Sequence, residues 1–242
     1  LRIIPFFDFA ENMLHYRCSP RVRCRGGGRA GPFFEGLTSN MQILSFEKNT
    51  SEQIRSEALK VLEKGGIVAY ATESFYALGV PATDEEAVKR LFELKKRPPE
   101  KPLPVIIGDV AMLKSIVKDI PRSARGLMEK YWPGPLTIVF HAADNIPALL
   151  TGGTGRVAAR IPGESTALFL AGELRLPLTA TSANPSSQPP AETPGQVMDY
   201  FGDKAGLIID TGRSPGGMPS TIIDVTVTPP RILRAGSVRP DY

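Results

Sequence analysis

Thr50–Tyr70 reads TSEQIRSEALKVLEKGGIVAY, a helix and a strand joined by two glycines. Thr50-Ser51-Glu52-Gln53 is a capping box: a hydroxyl to receive a backbone N–H, and an amide three residues on to return the bond. The helix it opens has Ile54, Ala58, Val61 and Leu62 on one face, and Gly65-Gly66 closes it. Ile67-Val68-Ala69-Tyr70 then reads as a buried strand. The alternation continues. Thr83-Asp84-Glu85-Glu86 is a second box, opening a helix with Val88, Leu91 and Phe92 inward, which should end near Arg97 because Pro98 follows. Strands are expected at Leu103–Ile107, Leu136–Phe140, Val157–Ile161, Leu178–Thr181, Leu207–Asp210, Thr221–Val225 and Ile232–Arg234. Helices are expected at 110–118, 122–131, Ser165–Leu174 and Pro194–Phe201. Helices and strands interleave without a linker, which predicts one α/β domain, a twisted open mixed sheet flanked by helices.

Charge and composition narrow the chemistry. The 242 residues carry 29 Lys+Arg against 25 Asp+Glu, a formal charge of +4 that permits a polyanionic partner without demanding one. Residues 1–40 hold six Arg and three acidic residues, together with Cys18, Cys24 and His15. This segment has no sustained periodicity and is expected to be a disordered or non-native extension. A basic tail for RNA and an Arg-rich targeting peptide are the alternatives. The domain is expected over residues 41–242. From Met41 onward there is no cysteine, and His141 is the single histidine. A thiolate nucleophile and a Cys/His zinc site are therefore excluded there. No apolar run approaches the ~20 residues of a membrane span, so a cytoplasmic protein is expected.

Lys95-Lys96-Arg97-Pro98-Pro99-Glu100-Lys101-Pro102 sets four cations in seven residues on a proline-stiffened turn. Complementation of a helix C-terminus would account for Lys95 and Lys96. Arg97 and Lys101 on the rigid turn suit a phosphate chain, with a solvated charge run as the plainer alternative. Ser182-Ala183-Asn184 follows a strand, where open α/β sheets place ligands, although Asn-Pro is also an ordinary turn. Thr151-Gly152-Gly153-Thr154-Gly155-Arg156 resembles an anion-binding loop. Neither a P-loop nor a G-x-G-x-x-G fingerprint occurs. His141 reads as a plain polar residue, and Trp132-Pro133-Gly134-Pro135 as an architectural turn.

In order, these pieces resemble the YrdC-like family. Tyr70-Ala71-Thr72-Glu73-Ser74-Phe75-Tyr76-Ala77-Leu78-Gly79 is similar to its Y-P-T-E-T-x-Y-G-L-G signature, and Lys95-x-Arg97-Pro98-x-x-Lys101-Pro102-Leu103 to its K-x-R-P…P-L motif. Pro133–Thr137, Arg160-Ile161-Pro162, Thr181–Asn184, Ser220–Asp224 and Arg234-Ala235-Gly236 follow in family order. The resemblance implies a YrdC-like fold with a basic concave face and the activity of a threonylcarbamoyl-AMP synthase. Such an enzyme joins L-threonine, bicarbonate and ATP with Mg²⁺, releases pyrophosphate, and supplies threonylcarbamoyl-transferring proteins that modify tRNA. It further implies ATP contacts at Arg97, Lys101, Arg156, Ser182 and Arg234, with Lys95 beside them and Asn184 shaping the loop. Threonine contacts are implied at Ser74, Arg160, Ser220 and the backbone near Ala180. Lys95 and Arg97 would act on the reaction electrostatically, with no covalent nucleophile. The chain departs from the pattern at Ala71, Ala77, Ser74 and Ser187, and Ile106 stands where some members place a threonine-contacting histidine. A non-catalytic YrdC-like protein binding double-stranded RNA or tRNA is the alternative.

Overall fold

In the computed structural model, which describes residues 41–241, Thr50 caps the first helix from both directions. Its Oγ1 accepts from Gln53 N at 3.3 Å, and Gln53 Oε1 accepts from Thr50 N at 2.9 Å. The expectations for residues 1–40 lie outside the described residues. Strand β1 (Gln42–Ser45) precedes helix α1 (Ser51–Glu63), and strands β2 (Val68–Ala71) and β3 (Tyr76–Gly79) form a hairpin. Helix α2 (Glu85–Lys95), β4 (Pro104–Ile106), α3 (Val110–Lys114), α4 (Arg122–Tyr131), β5 (Leu136–His141) and β6 (Arg156–Arg160) follow. Then come α5 (Thr166–Leu174), β7 (Leu178–Thr179), β8 (Thr181–Ser182), α6 (Pro194–Phe201), β9 (Leu207–Asp210), β10 (Thr221–Asp224) and β11 (Arg231–Arg234). Among the described residues no helix is long and apolar enough to cross a membrane.

The strands form two mixed sheets rather than the single sheet expected. One runs β1-β9-β2-β3-β8, the other β11-β10-β5-β6-β4-β7. The expected strand Leu178–Thr181 is the reason. It divides at Ala180: Thr179 pairs with Val105 of the second sheet, while Thr181 pairs with Leu78 of the first. Ala180 N donates to Pro104 O at 2.8 Å, and the Tyr70 hydroxyl crosses from the first sheet to Thr179 O at 2.7 Å. Gly79 is required at this crossing, because a Cβ there would lie 2.6 Å from the Tyr70 ring.

Alternation along β2 assigns its two faces. Ala69 and Ala71 join the larger hydrophobic cluster, which also takes Val88, Leu91 and Phe92 of α2, Leu127 of α4 and Phe201 of α6. Val68 and Tyr70 join a second cluster with Ile54 and Leu62 of α1 and Leu170 of α5. In the second sheet Ile138, Val157 and Ala159 face the larger cluster, and residues 156, 158 and 160 are only half-buried. One face of that sheet is therefore left partly open.

Local corrections have local causes. Asp84, not Thr83, caps α2, its carboxylate accepting from Ala87 N at 2.9 Å. The helix ends at Lys95, because Lys96 turns left-handed (φ 50°) and Arg97 N closes back on Phe92 O at 2.9 Å. The helix expected over 110–118 stops at Lys114, and Val117 bridges to Ala142. The family-variant positions Ala71 and Ala77 sit in a regular hairpin, opposite Tyr76 and Tyr70.

Tyr70→Phe removes one side-chain bond between the two sheets at the crossing, beside those of the Thr179 hydroxyl to Leu78 O and from Val80 N, while leaving the ring in place. A loss of about 1–2 kcal/mol in urea denaturation is expected, the cost of a buried carbonyl losing its donor. An unchanged midpoint would show that the crossing does not depend on this bond.

Candidate active site

Strand register sorts the expected site residues along β6. Directly opposed residues share a face, and residues two apart along a strand share it too. His141 opposes Arg156; Val139 and Pro104 oppose Ala158; Ile106 opposes Arg160. On β10 and β11, Ile222 lies beside Thr137 and opposite Arg234, while Asp224 lies beside Val139. Arg156, Arg160 and Arg234 thus stand on the half-open face. Arg156 is one end of it, Arg160 and Arg234 are the other, about 13 Å apart by strand rise.

At the Arg156 end, α2 delivers the cationic turn. Lys95 is only 2% exposed. Its Nζ donates to Asn184 O at 2.6 Å and to Ser182 O, and its own carbonyl accepts from Ser186 N at 2.9 Å. Rather than complementing the helix end in solvent, Lys95 pins the Ser182–Ser186 turn to it. Burial, with the Arg97 charge adding to it, brings the Lys95 ammonium down to about 7. Arg97 folds back over its own turn, donating through Nε to Lys101 O (3.0 Å) and through NH2 to Pro102 O (2.8 Å). Burial holds its guanidinium below the usual arginine value. Lys101 is exposed on the same turn. Asn184 Nδ2 donates to Pro185 O (3.1 Å) and Gln188 O (2.6 Å), closing the loop, while its buried Oδ1 has no protein partner. Ser187 adopts φ 72° in this loop, the conformation for which the family pattern has glycine.

The glycine loop contributes differently from the sequence expectation. N–H groups of Thr151, Gly152, Gly153 and Thr154 donate to carbonyls between Pro147 and Thr151, so they do not converge on an anion. Gly152 instead lets the loop touch the cationic turn, where a Cβ would meet Glu100 O at 2.7 Å. Arg156, next along, is fastened to the wholly buried Asp224 (NH1 to Oδ2, 3.2 Å), which also accepts from Thr226 N and Oγ1. His141 is exposed opposite it.

At the other end, Arg160 is gripped by a carboxylate. NH1 donates to Glu73 Oε1 at 2.7 Å and NH2 to Oε2 at 2.9 Å, and Gly163 N adds a bond to Oε1 at 2.5 Å. Ser74 follows Glu73; its Oγ lies 3.3 Å from Thr72 Oγ1, and its carbonyl accepts from Gly216 N at 2.7 Å. Ser220 Oγ sits 2.9 Å from Thr137 Oγ1, and Arg234 embraces Ser220, with NH2 at 2.8 Å from its carbonyl and 3.2 Å from its hydroxyl. Gly236 permits this approach, since a Cβ there would lie 2.3 Å from Pro219 O. Burial, then the Arg160 charge, lowers Arg234 from its usual value. Ile106, in the Arg160 row, is wholly buried in the second cluster with Ala167 and Leu170.

The fold therefore gathers Lys95, Arg97, Lys101, Arg156, Ser182 and Asn184 at one end and Ser74, Arg160, Ser220 and Arg234 at the other, with Ala180 between. Arg234, grouped by sequence with the first set, is housed with the second. Glu73 and Asp224 were inside quoted motifs but carried no role; what would have singled them out is that each is an acid amid residues otherwise apolar or hydroxylic. Arginines 156 and 160 are ion-paired, whereas Lys95, Arg97 and Arg234 donate only to carbonyls and a hydroxyl and have no carboxylate partner among the described residues. Of these, Arg97 and Arg234 reach the surface, as does Lys101, whereas Lys95 is buried against the loop that it pins.

Comparison with known proteins finds relatives in sequence and in fold. The family model Sua5_yciO_yrdC, described as "Telomere recombination", matches residues 60–236. The chain is 39% identical over 194 residues to the threonylcarbamoyl-AMP synthase of Pyrococcus abyssi, covering 78% of this chain and 57% of that one. With the threonylcarbamoyl-AMP synthase of Idiomarina loihiensis it shares 37% over 170 residues, 69% of this chain and 91% of that one. The solved structure of P. abyssi Sua5 complexed with L-threonine superposes with a TM-score of 0.75 at 39% identity, over 81% of this chain and 57% of that one. E. coli YciO superposes with a TM-score of 0.70 at 26% identity, over 82% and 96%. The chain spans a little over half the length of the Pyrococcus relative.

Lys95 offers a test of the turn that it pins. Its value falls from the usual 10.5 to about 7 on folding, so the folded chain binds fewer protons between those limits. Stability should then rise with pH across that window, with a slope of up to ~1.4 kcal/mol per pH unit, and show no such contribution below it. In urea denaturation at pH 7, 8 and 9, the wild type should gain on Lys95→Met as pH rises. A constant difference would place the ammonium in a wetter setting.

Proposed function

The chain belongs to the Sua5–YciO–YrdC family, and on that premise we propose that it makes threonylcarbamoyl-AMP from L-threonine, bicarbonate and ATP, releasing pyrophosphate. The observation that carries this reading is the division of the half-open face into two compartments. One end presents uncompensated cations on a stiffened turn, suited to a triphosphate; the other presents Arg160, Ser74 and Ser220, a guanidinium and two hydroxyls suited to an amino acid with a hydroxylated side chain. The nucleotide would lie along the strand with its β- and γ-phosphates toward Lys95, Arg97, Lys101, Arg156 and Ser182. Threonine would sit at the far end, with the Ala180 backbone beside it. We read this face as the family's basic concave surface.

The chemistry asks for no nucleophile from the protein. The neutral threonine amine attacks bicarbonate with loss of water, or CO₂ derived from it with loss of a proton, to give a carbamate. A carbamate oxygen then bonds to the α-phosphorus as the bond to the bridging oxygen of pyrophosphate breaks. The protein holds the reactants in line and neutralises the departing charge. Arg234, in the Arg160 row, would reach toward the α-phosphate where the two substrates meet. Mg²⁺ would come with the nucleotide, held chiefly by its triphosphate oxygens, and would supply further neutralisation of the phosphate charge. The product would pass to proteins that transfer threonylcarbamoyl to tRNA, and the exposed cations near the turn are where tRNA or double-stranded RNA would be met. A cytoplasmic setting belongs to the same reading.

Pyrophosphate release should require ATP, Mg²⁺, L-threonine and bicarbonate together, with L-serine much poorer than L-threonine. Arg97→Ala, folded by circular dichroism, should lose at least tenfold in rate, part of the roughly 2–4 kcal/mol expected for one charged transition-state contact. Turnover at the wild-type level in that variant would remove Arg97 from the site. Threonine-independent release, or salt-sensitive RNA binding without release, would overturn the reading in favour of a nucleotide- or RNA-binding protein.

A further inference from the structure

The amino-acid end of the site contains one acid that the reaction as described does not use. Glu73 projects from the β2–β3 hairpin of the first sheet, and its carboxylate reaches the end of β6 in the second. There it takes both terminal nitrogens of Arg160 (2.7 and 2.9 Å) and the backbone N–H of Gly163 (2.5 Å). Arg160 is nearly buried, with 11% of its side chain exposed, and Glu73 is 26% exposed. It is a fork-to-fork pair that fixes the guanidinium plane, with NH1 also 3.5 Å from Gly134 O. A nearly buried guanidinium without this partner would be an uncompensated charge, free to seek another acceptor.

Glu73 is also the residue before Ser74. Thr72 Oγ1 accepts from the N–H groups of Ser74 and Phe75 (3.2 Å each) and donates to Phe75 O at 2.8 Å, so the hairpin tip is stiff. The bonds from Glu73 to Arg160 and Gly163 therefore set how far Ser74, on one sheet, stands from Arg160, on the other. Both are contacts assigned to threonine under the proposed function, on which this step rests. Because the inner edge of the guanidinium is occupied, an incoming carboxylate must approach its remaining N–H groups, and its approach is defined by where Glu73 holds the plane.

We infer that Glu73 is a positioning residue for the amino-acid substrate: through its pair with Arg160 it sets the spacing between the carboxylate contact and the Ser74 hydroxyl, and with it affinity and selectivity for threonine. Charge compensation alone would be met by any carboxylate at this position, whereas spacing needs the length of glutamate. Glu73→Gln keeps the length and loses the charge; Glu73→Asp keeps the charge and shortens the reach by one methylene.

The experiment uses the full chain and measures steady-state KM for L-threonine and for ATP by pyrophosphate release, with calorimetric binding of L-threonine alone as a second readout. Both variants should raise the threonine KM at least tenfold, leave the ATP KM within twofold, and narrow the preference for threonine over serine. An unchanged threonine KM in either folded variant overturns the inference, as does an equal rise in both KM values, which marks a merely structural acid. Should Glu73→Gln not fold, Glu73→Asp carries the test alone. A wild type that neither binds threonine nor releases pyrophosphate overturns the proposed function, and the inference falls with it; an active wild type with indifferent variants overturns the inference only.

Discussion

Leu178–Ser182 is the run on which the rest of the architecture turns, because five consecutive residues hydrogen-bond to two different sheets. Thr179 is held by Val105 on one side, and by Val80 through both its N–H and its hydroxyl on the other. One residue on, Ala180 N reaches Pro104 O, and Thr181 and Ser182 have moved to β3. Thr179 is wholly buried, and its N–H and hydroxyl are both bonded, as burial requires. The loop after Ser182 leaves from the point where the chain changes sheets. Lys95 then anchors that loop with three bonds to α2, counting the one its carbonyl accepts. The place of the site follows from this strand changing partners.

Around that point the cations fall into two kinds. Arg156 and Arg160 have carboxylates, Asp224 and Glu73, and stay fixed in plane and position. Lys95, Arg97 and Arg234 have only oxygen dipoles to hold them, and burial depresses all three from their ordinary values. Carbonyls orient a cation without cancelling its charge. An unpaired, partly desolvated cation raises the free energy of the empty site, and that cost is recovered when an anion arrives. Adding carboxylates beside the second group would stabilise the fold and weaken the site.

Much of the fold was legible because its signals are local. Thr50 and Gln53, Thr193 before α6, and the short apolar runs at β5 and β9 declare themselves within a few residues. The second sheet was not legible, since Leu178–Thr181 looks like one strand until its partners are known, and pairing is a long-range property. The box pattern sets the second cap at Thr83, one residue early, because only the folded backbone shows that the neighbouring Asp84 carboxylate reaches Ala87 N. For the site, motif order named the cations and hydroxyls, but nothing local says that Glu73 reaches 87 residues along the chain to Arg160, or that the N–H groups of the glycine loop are consumed by its own carbonyls. The glycines were read for an anion; their use at Gly152 is close approach to Glu100.

Between the two charged ends lies the row in which the proposed reaction would occur. Val139, Ala158 and Pro104 oppose one another there, and Ala180 bonds to Pro104. Its one charged member, Asp224, is wholly buried and engaged by Arg156 and Thr226. None of the small or apolar side chains in this row can donate to a carbamate or compete with it for the α-phosphorus. A weakly polar middle flanked by unpaired cations strengthens every interaction that those cations make with charge developing between them. Catalysis by position needs such an arrangement: donors at the ends to hold the reactants, and an inert floor where the bond forms. The one titratable side chain in this row, Asp224, is wholly buried and tied to Arg156 and Thr226, so the floor stays inert even though it contains an acid.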